Sequence, residues 1–338
     1  MIQSIITKLV NRESLSQNEA AAAMEEIMTG MATESQISAF LIGLRMKGET
    51  PEEIAGCASV MRSKAVKISS RHEILLDTCG TGGDQSGTFN ISTAAAIVAA
   101  GAGVAVAKHG NRAVSSRSGS ADVLRTLGVN LDITPEKAGR ILDQVGITFL
   151  FAPHMHQAMK YAVNVRKELA IRTIFNILGP LTNPAGALFQ VLGVYASELT
   201  ETMAHVLCRL GSRRALVVHG EGGIDEISTL GPTFVSEVRD SSVTSYRITP
   251  QEVGLATAKR ADILGGDAQR NAEIIRSILD GKRGPHRDIV VFNAGAGLYV
   301  AGAASTLIEG VKAAEHSVDT GNALRTLNRW SDASRSDA

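Results

Sequence analysis

From Glu73 onward, short β-rich runs alternate with stretches of helical periodicity. "ILLDT" (74–78), "VAVAK" (104–108), "TFLFA" (148–152), "FQVLGVY" (189–195), "ALVVHG" (215–220) and "DIVVFNAG" (288–295) read as strands. Residues 92–101, 119–128, 135–145, 200–211 and 267–280 read as the helices that separate most of them. Such a chain has few places to go. Parallel strands need crossover connections, helices supply them, and strands covered on both faces read as continuous apolar runs. The pattern predicts an α/β domain with a mostly parallel central sheet. Residues 233–247 alternate apolar and polar side chains instead, and read as an antiparallel pair at an edge.

The first seventy residues have a different texture. Ile2, Ile5, Ile6, Leu9 and Val10 recur at i, i+3, i+4, i+7 and i+8, which marks one helix face. Ser16 with Glu19, Thr33 with Gln36, and Thr50 with Glu53 have capping-box spacing, and Pro51 stands at a first helical position. Four short helices are expected, with no polar cluster that suggests chemistry. The fold class is therefore a small all-helical N-terminal domain (1–72) docked on a larger α/β domain (73–338). A cleft between the two is the default ligand site.

The chain has 338 residues, with Lys+Arg and Asp+Glu at 34 each. Zero net charge removes any bulk attraction to nucleic acid or anionic membrane, and 4% aromatics argues against base-stacking platforms. Cys57, Cys79 and Cys208 lie far apart without metal-ligand spacing, as expected in a reducing cytoplasm. "MIQSIITKLVNRE" does not read as a signal peptide. The most apolar stretch, Ala94 to Ala107, is too short to cross a membrane.

Residues 77–93, "DTCGTGGDQSGTFNIST", join the first of these strands to a helix through Gly80, Gly82, Gly83 and Gly87. Such a turn aims several backbone N–H groups and a helix N-terminus at one point, a geometry that binds phosphate. A plain tight turn is the competing reading. The dinucleotide fingerprint fails because position 85 is Gln, and a P-loop fails because Asp84 follows Gly83.

A second loop, "KHGNRAVSSRSGSADVLRTLGV", gathers Lys108, His109, Asn111, Arg112, Ser115, Ser116, Arg117, Ser118 and Ser120. Cations and hydroxyls at a strand end suit a polyanion, and strand-end loops on one edge of a parallel sheet share a crevice. In "GGIDEIS", Asp225 and Glu226 could clamp Mg²⁺, which takes one or two carboxylates together with substrate phosphates. "NVRKELAIRTIFNILGPLTNPAG" is a turn-rich connection with Arg166 and, upstream, His156 on an expected helix. Arg166 could pair with a substrate carboxylate or cap its helix. Cys79 has no His neighbour in sequence and reads as packing. A phosphate cradle, a cationic loop and a metal clamp, without a nucleophile–base pair, point to transfer away from a diphosphate by positioning and charge stabilisation.

"GTGGD", "NIST", "KHGNRAVSSRSGSADVLRTLG", "RTIFNILGPLTNPAG" and "DEIS" resemble the anthranilate phosphoribosyltransferase family, in order and over nearly the whole chain. The resemblance implies a Mg²⁺-dependent transfer of the 5-phosphoribosyl group from 5-phosphoribosyl 1-diphosphate to the amine of anthranilate. It implies two Mg²⁺ ions per subunit and a homodimer that pairs through the helical domain, with helices from about 160–185 completing that domain. Carried over by motif, the donor site comprises Gly80, Gly83, Asp84, Thr88, Asn90, Ile91, Ser92, Thr93, Lys108, His109, Gly110, Asn111, Arg112, Ala113, Val114, Ser115, Ser116 and Ser120. Gly80, Asn111, His156 and Arg166 would contact anthranilate. Ser92, Asp225 and Glu226 would hold the metal. Lys108, Asp225 and Glu226 would carry catalysis through charge stabilisation, and no residue is assigned as nucleophile or base.

Two departures stand out. "HQAM" replaces the His-Pro-Ala-Met of many relatives, so Gln157 relaxes the backbone at His156, and Arg117 stands where Lys is frequent. The resemblance leaves two alternatives. A pyrimidine nucleoside phosphorylase of the same fold would use inorganic phosphate and would not need the Asp225–Glu226 clamp. A non-catalytic nucleic-acid-binding relative would show a basic surface and eroded site residues.

Overall fold

The computed structural model describes residues 1–112 and 117–336. Helices α1 (Ile2–Val10), α2 (Gln17–Met28), α3 (Glu34–Lys47) and α4 (Pro51–Lys64) form the N-terminal layer. All three expected capping boxes are made, at Ser16–Glu19, Thr33–Gln36 and Thr50–Glu53. Glu53 does more than cap. Its buried carboxylate also takes the Leu15 N–H at 2.8 Å and an ion pair from Lys47 at 2.9 Å, locking α4 to the α1–α2 connection. On α1, Ile2, Ile5 and Leu9 are buried, but Val10 is 73% exposed. The i+8 position has rotated out of the packed stripe.

The sheet has seven strands: β1 (Leu76–Gly80), β2 (Val106–Gly110), β3 (Ile147–Phe151), β4 (Phe189–Gly193), β5 (Arg214–Gly220), β6 (Thr233–Arg239) and β7 (Ser242–Ile248). Their order is β3-β2-β1-β4-β5-β6-β7. The first five are mutually parallel, and β6–β7 is the antiparallel edge pair expected at 233–247. The order runs outward in two directions from β1 and β4, which makes their junction the topological switch point. Ligands of open α/β sheets bind beyond the strand C-termini at such a point. Gly80 and Gly193 are paired there in register.

The pleat of β5 sorts its side chains between two apolar cores, and Ala107 of β2 and Leu150 of β3 enter a third, smaller one. Leu216 and Val218 of β5 join one cluster with helix α5 (Ile91–Gly101) and helices Ala268–Leu279 and Pro285–Val300. Ala215 and Val217 face the other way, into a cluster shared with helix Leu199–Arg209 and with α1–α4. Ala162, Val165, Ile174, Phe175, Ile177 and Leu178 belong to that second cluster. The helical layer thus shares the core beneath one sheet face, with helix Leu199–Arg209 lying between α4 and β5–β7.

One expected strand is not a strand. "DIVVFNAG" lies inside helix Pro285–Val300, whose start is set by Pro285 after Gly284. The helix is buried nearly all round, against α5 and helix Leu307–Asp319. An apolar run of this length has no polar face to reveal its period, so composition alone cannot separate buried strand from buried helix. Among the described residues, no helix is long and apolar enough to cross a membrane.

Candidate active site

The glycine loop leaves β1 at Gly80 and enters α5 at Ile91. Gly82, Gly83 and Gly87 have φ of 64°, 73° and 72°, so the loop uses its glycines for left-handed backbone; Gln85, at 55°, bears the strain of a side chain there. Gly80 and Gly193 serve a different need. The Asp225 segment crosses the sheet edge so closely that a Cβ at Gly80 would meet the Asp225 carboxylate, and one at Gly193 would meet its carbonyl oxygen. Glycine at both strand ends is what admits the Asp225–Glu226 pair to the switch point.

The two carboxylates are tied to the loop and to α5. The Gly82 N–H donates to Asp225 Oδ2 at 2.8 Å, and the Ser92 N–H donates to Glu226 Oε1 at 3.0 Å. Asp84 takes the Ser86 N–H at 3.1 Å and the Asp225 N–H at 3.4 Å. Each residue of the pair keeps some accessible surface, but the surrounding protein desolvates its carboxyl. Desolvation, then the Asp84 charge, pushes the Asp225 carboxyl well above the ordinary range. Desolvation, then Asp225, does the same to Glu226. The crevice is short of positive charge, and a cation there would relieve both groups.

Lys108 does not stand in a loop. It is a residue of β2, only 1% exposed, with its ammonium donating to the Thr78 carbonyl and to Ser92 Oγ at 3.3 Å. Thr78 Oγ1 donates to the Ser92 carbonyl at 3.1 Å, so Lys108 and Thr78 fix the first turn of α5 from below. Beside it, the buried Asp77 carboxylate accepts from the His109 N–H at 3.0 Å and from Asn183 Nδ2 at 2.8 Å. Asn183 also donates to the Ala107 carbonyl at 2.8 Å. That network clamps the 179–186 turn onto β1 and β2.

His109 Nδ1 lies 3.2 Å from the Gly179 carbonyl, and His156 Nε2 lies 3.2 Å from His109 Nε2. The carbonyl can only accept, so Nδ1 of His109 carries the proton and its Nε2 accepts from His156 Nε2–H. Both rings are neutral. Burial, followed by the neighbouring His156, lowers His109 to about 3, and burial lowers His156 to about 4. His156 follows the short helix Ala152–Met155 rather than standing within a longer one, and its ring faces inward, against His109 and Thr182.

Other expected residues are spread along the crevice. Asn90 Nδ2 donates to the Ser118 carbonyl at 3.1 Å, which joins the two loops, and its Oδ1 accepts from Asn271 at 2.9 Å. Asn111 accepts the Arg112 N–H at 2.7 Å; Arg112 is exposed over the Phe151 ring at 5.4 Å. Ser120 opens helix Ser120–Thr126 beside Gly110. Thr88 is half-buried and its hydroxyl meets Ser86 Oγ at 3.0 Å, whereas Ile91 and Thr93 are buried at the start of α5. Ala113, Val114, Ser115 and Ser116 lie outside the described residues. Arg166, on helix Val163–Leu169, stacks on Phe175 at 5.2 Å, and burial lowers its guanidinium from the usual value. Among the described residues no carboxylate pairs with it, and no hydrogen bond joins it to the glycine loop.

Sequence reasoning missed several contributors. Arg172 donates to the Gly83 carbonyl and lies over the Tyr195 ring at 4.0 Å. Arg260 donates to the Ser86 carbonyl at 3.2 Å. Asp77 and Arg172 fall within quoted motif stretches and could have been weighed there, whereas nothing in sequence marks Arg260 or Asn271. No three His, Cys, Asp or Glu side chains gather into a cage among the described residues. Two carboxylates beside a phosphate loop suit a hard cation completed by substrate oxygens and water.

Residues 72–324 match the glycosyl transferase family a/b domain, and residues 3–65 match the glycosyl transferase family helical bundle domain. The anthranilate phosphoribosyltransferase of Methanocorpusculum labreanum is 56% identical over 328 residues, 97% of this chain and 96% of its own. That of Thermoanaerobacter sp. is 55% identical over 327 residues, 97% of each. The crystal structure of the Thermus thermophilus enzyme superposes with a TM-score of 0.94 at 45% identity, covering 98% of this chain and 99% of that one. The Saccharomyces cerevisiae enzyme, in complex with PRPP and Mg, gives 0.89 at 30% identity, covering 98% and 97%.

Proposed function

This chain belongs to the anthranilate phosphoribosyltransferase family of glycosyl transferases, and from that premise we propose how its residues divide the work. The reaction, a step of tryptophan synthesis, joins the amine of anthranilate to C1 of 5-phosphoribosyl 1-diphosphate. The C1–oxygen bond breaks with its electron pair leaving on pyrophosphate, the nitrogen lone pair forms the new C–N bond, and the nitrogen then loses a proton. An aromatic amine is neutral at pH 7, so no strong base is required.

The donor lies across the C-termini of β1 and β2. Gly80, Gly83, Asp84, Thr88, Asn90, Ile91, Ser92 and Thr93 line its diphosphate and ribose from one side. Lys108, His109, Gly110, Asn111, Arg112 and Ser120 line it from the other, with Ala113 to Ser116 continuing that side. Lys108 holds Ser92 and adds positive charge beneath the departing diphosphate, stabilising charge as it grows. Asn111, Arg166, His156 and Gly80 take anthranilate, and Arg166 orients its carboxylate. The observation that carries this reading is the convergence at the switch point of the glycine loop, the Asp225–Glu226 pair and the Lys108–Ser92 contact.

Ser92, Asp225 and Glu226 hold two Mg²⁺ ions per subunit. The carboxyls raised by crowding and desolvation support a cation there. Bound Mg²⁺ supplies charge neutralisation for the leaving group. The helical domain comprises residues 1–72 completed by about 160–185, and the α/β domain 73–338; the shared core of α1–α4 with Ala162 to Leu178 supports that division. The subunits pair as a homodimer through the helical domain and act in the cytoplasm. The exposed Val10, Met31 and Met46 of that layer, and three unpaired cysteines, support those two assignments.

Loss of anthranilate fluorescence on adding 5-phosphoribosyl 1-diphosphate tests the whole. The expected result is Mg²⁺-dependent loss with stoichiometric pyrophosphate release. A folded protein that leaves the fluorescence unchanged at every Mg²⁺ level refutes it. Metal titration by calorimetry then counts the ions, and sedimentation equilibrium tests the dimer.

A further inference from the structure

The glycine loop is gripped by two guanidinium groups, and both hold it by carbonyl oxygens. Arg172 reaches the Gly83 carbonyl from the segment after helix Val163–Leu169, with its plane against the Tyr195 ring at 4.0 Å. Arg260 holds the Ser86 carbonyl at 3.2 Å and, through its other terminal nitrogen, the Gly222 carbonyl at 3.3 Å. Gly222 belongs to the turn that leads into Asp225 and Glu226. The next loop carbonyl, that of Gly87, is taken by the Gly265 N–H at 2.9 Å.

In a planar trans peptide the C=O and N–H point in opposite directions, and no described peptide is cis. Holding the carbonyls of Gly83 and Ser86 outward therefore turns the N–H groups of Asp84 and Gly87 away from the guanidinium groups. Among the described residues, the N–H groups of Gly83, Asp84, Gln85 and Gly87 have no protein acceptor. We infer that Arg172 and Arg260 are positioning residues for the donor, which hold the glycine-loop carbonyls outward and so keep a set of unspent N–H groups ready for diphosphate oxygens.

Arginine suits the task. Its fork has five donors and no acceptor, so it can grip carbonyls but cannot compete with the anion for the loop's N–H groups. The grip also acts on a segment that is costly to order. Gly82, Gly83 and Gly87 are left-handed, and ungripped glycines would sample many other states, so their ordering would fall on donor binding. Arg172 is anchored at Tyr195, beyond β4, and Arg260 at the turn before the carboxylate pair. Each therefore fixes the loop relative to a different wall of the donor site.

The inference rests on the proposed donor site, and one set of measurements separates the two. Binding of 5-phosphoribosyl 1-diphosphate with Mg²⁺, in the absence of anthranilate, is measured by calorimetry for wild type, Arg172→Gln, Arg260→Gln and Arg172→Lys. Steady-state constants for both substrates accompany it. Each Gln variant is expected to weaken donor binding and raise the donor KM about tenfold or more, as loss of a charge-assisted hydrogen bond implies. The anthranilate KM is expected to stay within about twofold, and Arg172→Lys, which keeps a cationic donor for the Gly83 carbonyl but loses the planar stack on Tyr195, to recover only part of the donor affinity. Arg260 is exposed, so its variant keeps the fold even where the Arg172 variant does not. Wild-type donor affinity in folded Gln variants overturns the inference, as does an equal rise in both Michaelis constants. Wild-type protein that does not bind the donor overturns the donor site itself.

Discussion

Gly80→Ala isolates one element of the site with little disturbance elsewhere. Gly80 is not among the left-handed glycines, so alanine meets no backbone penalty there. The cost is entirely one of approach. A Cβ at Gly80 would stand 3.0 Å from Asp225 Cγ and closer still to Oδ2. Ordinary carbon contacts lie at about 3.5–4.0 Å, so the carboxyl must withdraw by roughly 0.5–1 Å. That movement also stretches the 2.8 Å hydrogen bond from the Gly82 N–H. A misplacement of about 1 Å at a catalytic group costs on the order of a hundredfold in rate, or about 2.7 kcal/mol of transition-state stabilisation. Continuous anthranilate fluorescence gives the kinetics, and titration with Mg²⁺ at fixed donor gives the metal requirement. The variant is expected to melt close to wild type, to lose about two orders of magnitude in kcat/KM, and to need more Mg²⁺. A kcat/KM within twofold of wild type, with unchanged Mg²⁺ dependence, would refute both the role of Asp225 and the reason for a glycine at β1's end. Gly82→Ala is the contrast. Nothing lies within 4 Å of its Cβ, but φ is 64°, so alanine there costs backbone strain of about 1 kcal/mol with no steric displacement of Asp225.

Three further outcomes are expected. Lys108→Met should abolish most turnover and also lower the unfolding free energy by about 1–3 kcal/mol, because it strips the Thr78 carbonyl and Ser92 Oγ of their buried donor; chemical denaturation with unchanged stability would show that the ammonium has no structural role. Arg166→Ala should raise the anthranilate KM at least tenfold more than the donor KM, since its partner would be the acceptor's carboxylate, and an equal effect on both would remove it from the acceptor site. The His109–His156 pair should cost stability as pH drops below about 6.5, opposed by Asp225 and Glu226, whose raised carboxyls take up protons in the fold before they would in the unfolded chain. His109 and His156 have depressed values in the fold, so the unfolded chain binds more protons at these two groups between about pH 6.5 and their folded values of about 3 and 4. Each fully differential group costs about 1.4 kcal/mol per pH unit over that window. Relative to wild type, His109→Gln should remove up to about 1.4 kcal/mol per pH unit of acid destabilisation in urea titrations between pH 6.5 and 4.5, and an unaltered slope would refute the neutral pair.

What could be read without coordinates divides by physical cause. The capping boxes were legible because a cap is a local bond between residues three apart, and Ser16, Thr33 and Thr50 each make theirs. The glycine loop was legible because φ near +70° leaves a compositional mark. The strand order was not, since nothing local tells β4 to pair with β1 rather than with β3, and so the switch point that gathers the site emerges only in three dimensions. The "DIVVFNAG" helix was misread because full burial removes the polar face that reports helical period. Lys108 is the more instructive case. A lysine after an apolar strand reads as a solvated strand-end cation. The neighbours that make burial tolerable, Asp77, the Thr78 carbonyl, Ser92 and Glu226, come from three other segments. Its charge therefore serves the fold and the site at once. The same holds for the arginines on the glycine loop. Their partners are main-chain carbonyls, which every residue has, so the sequence offers Arg172 only by its place in a motif and marks Arg260 not at all. Side chains that touch a ligand leave a signature in residue identity, whereas those that aim the backbone at it leave one only in geometry.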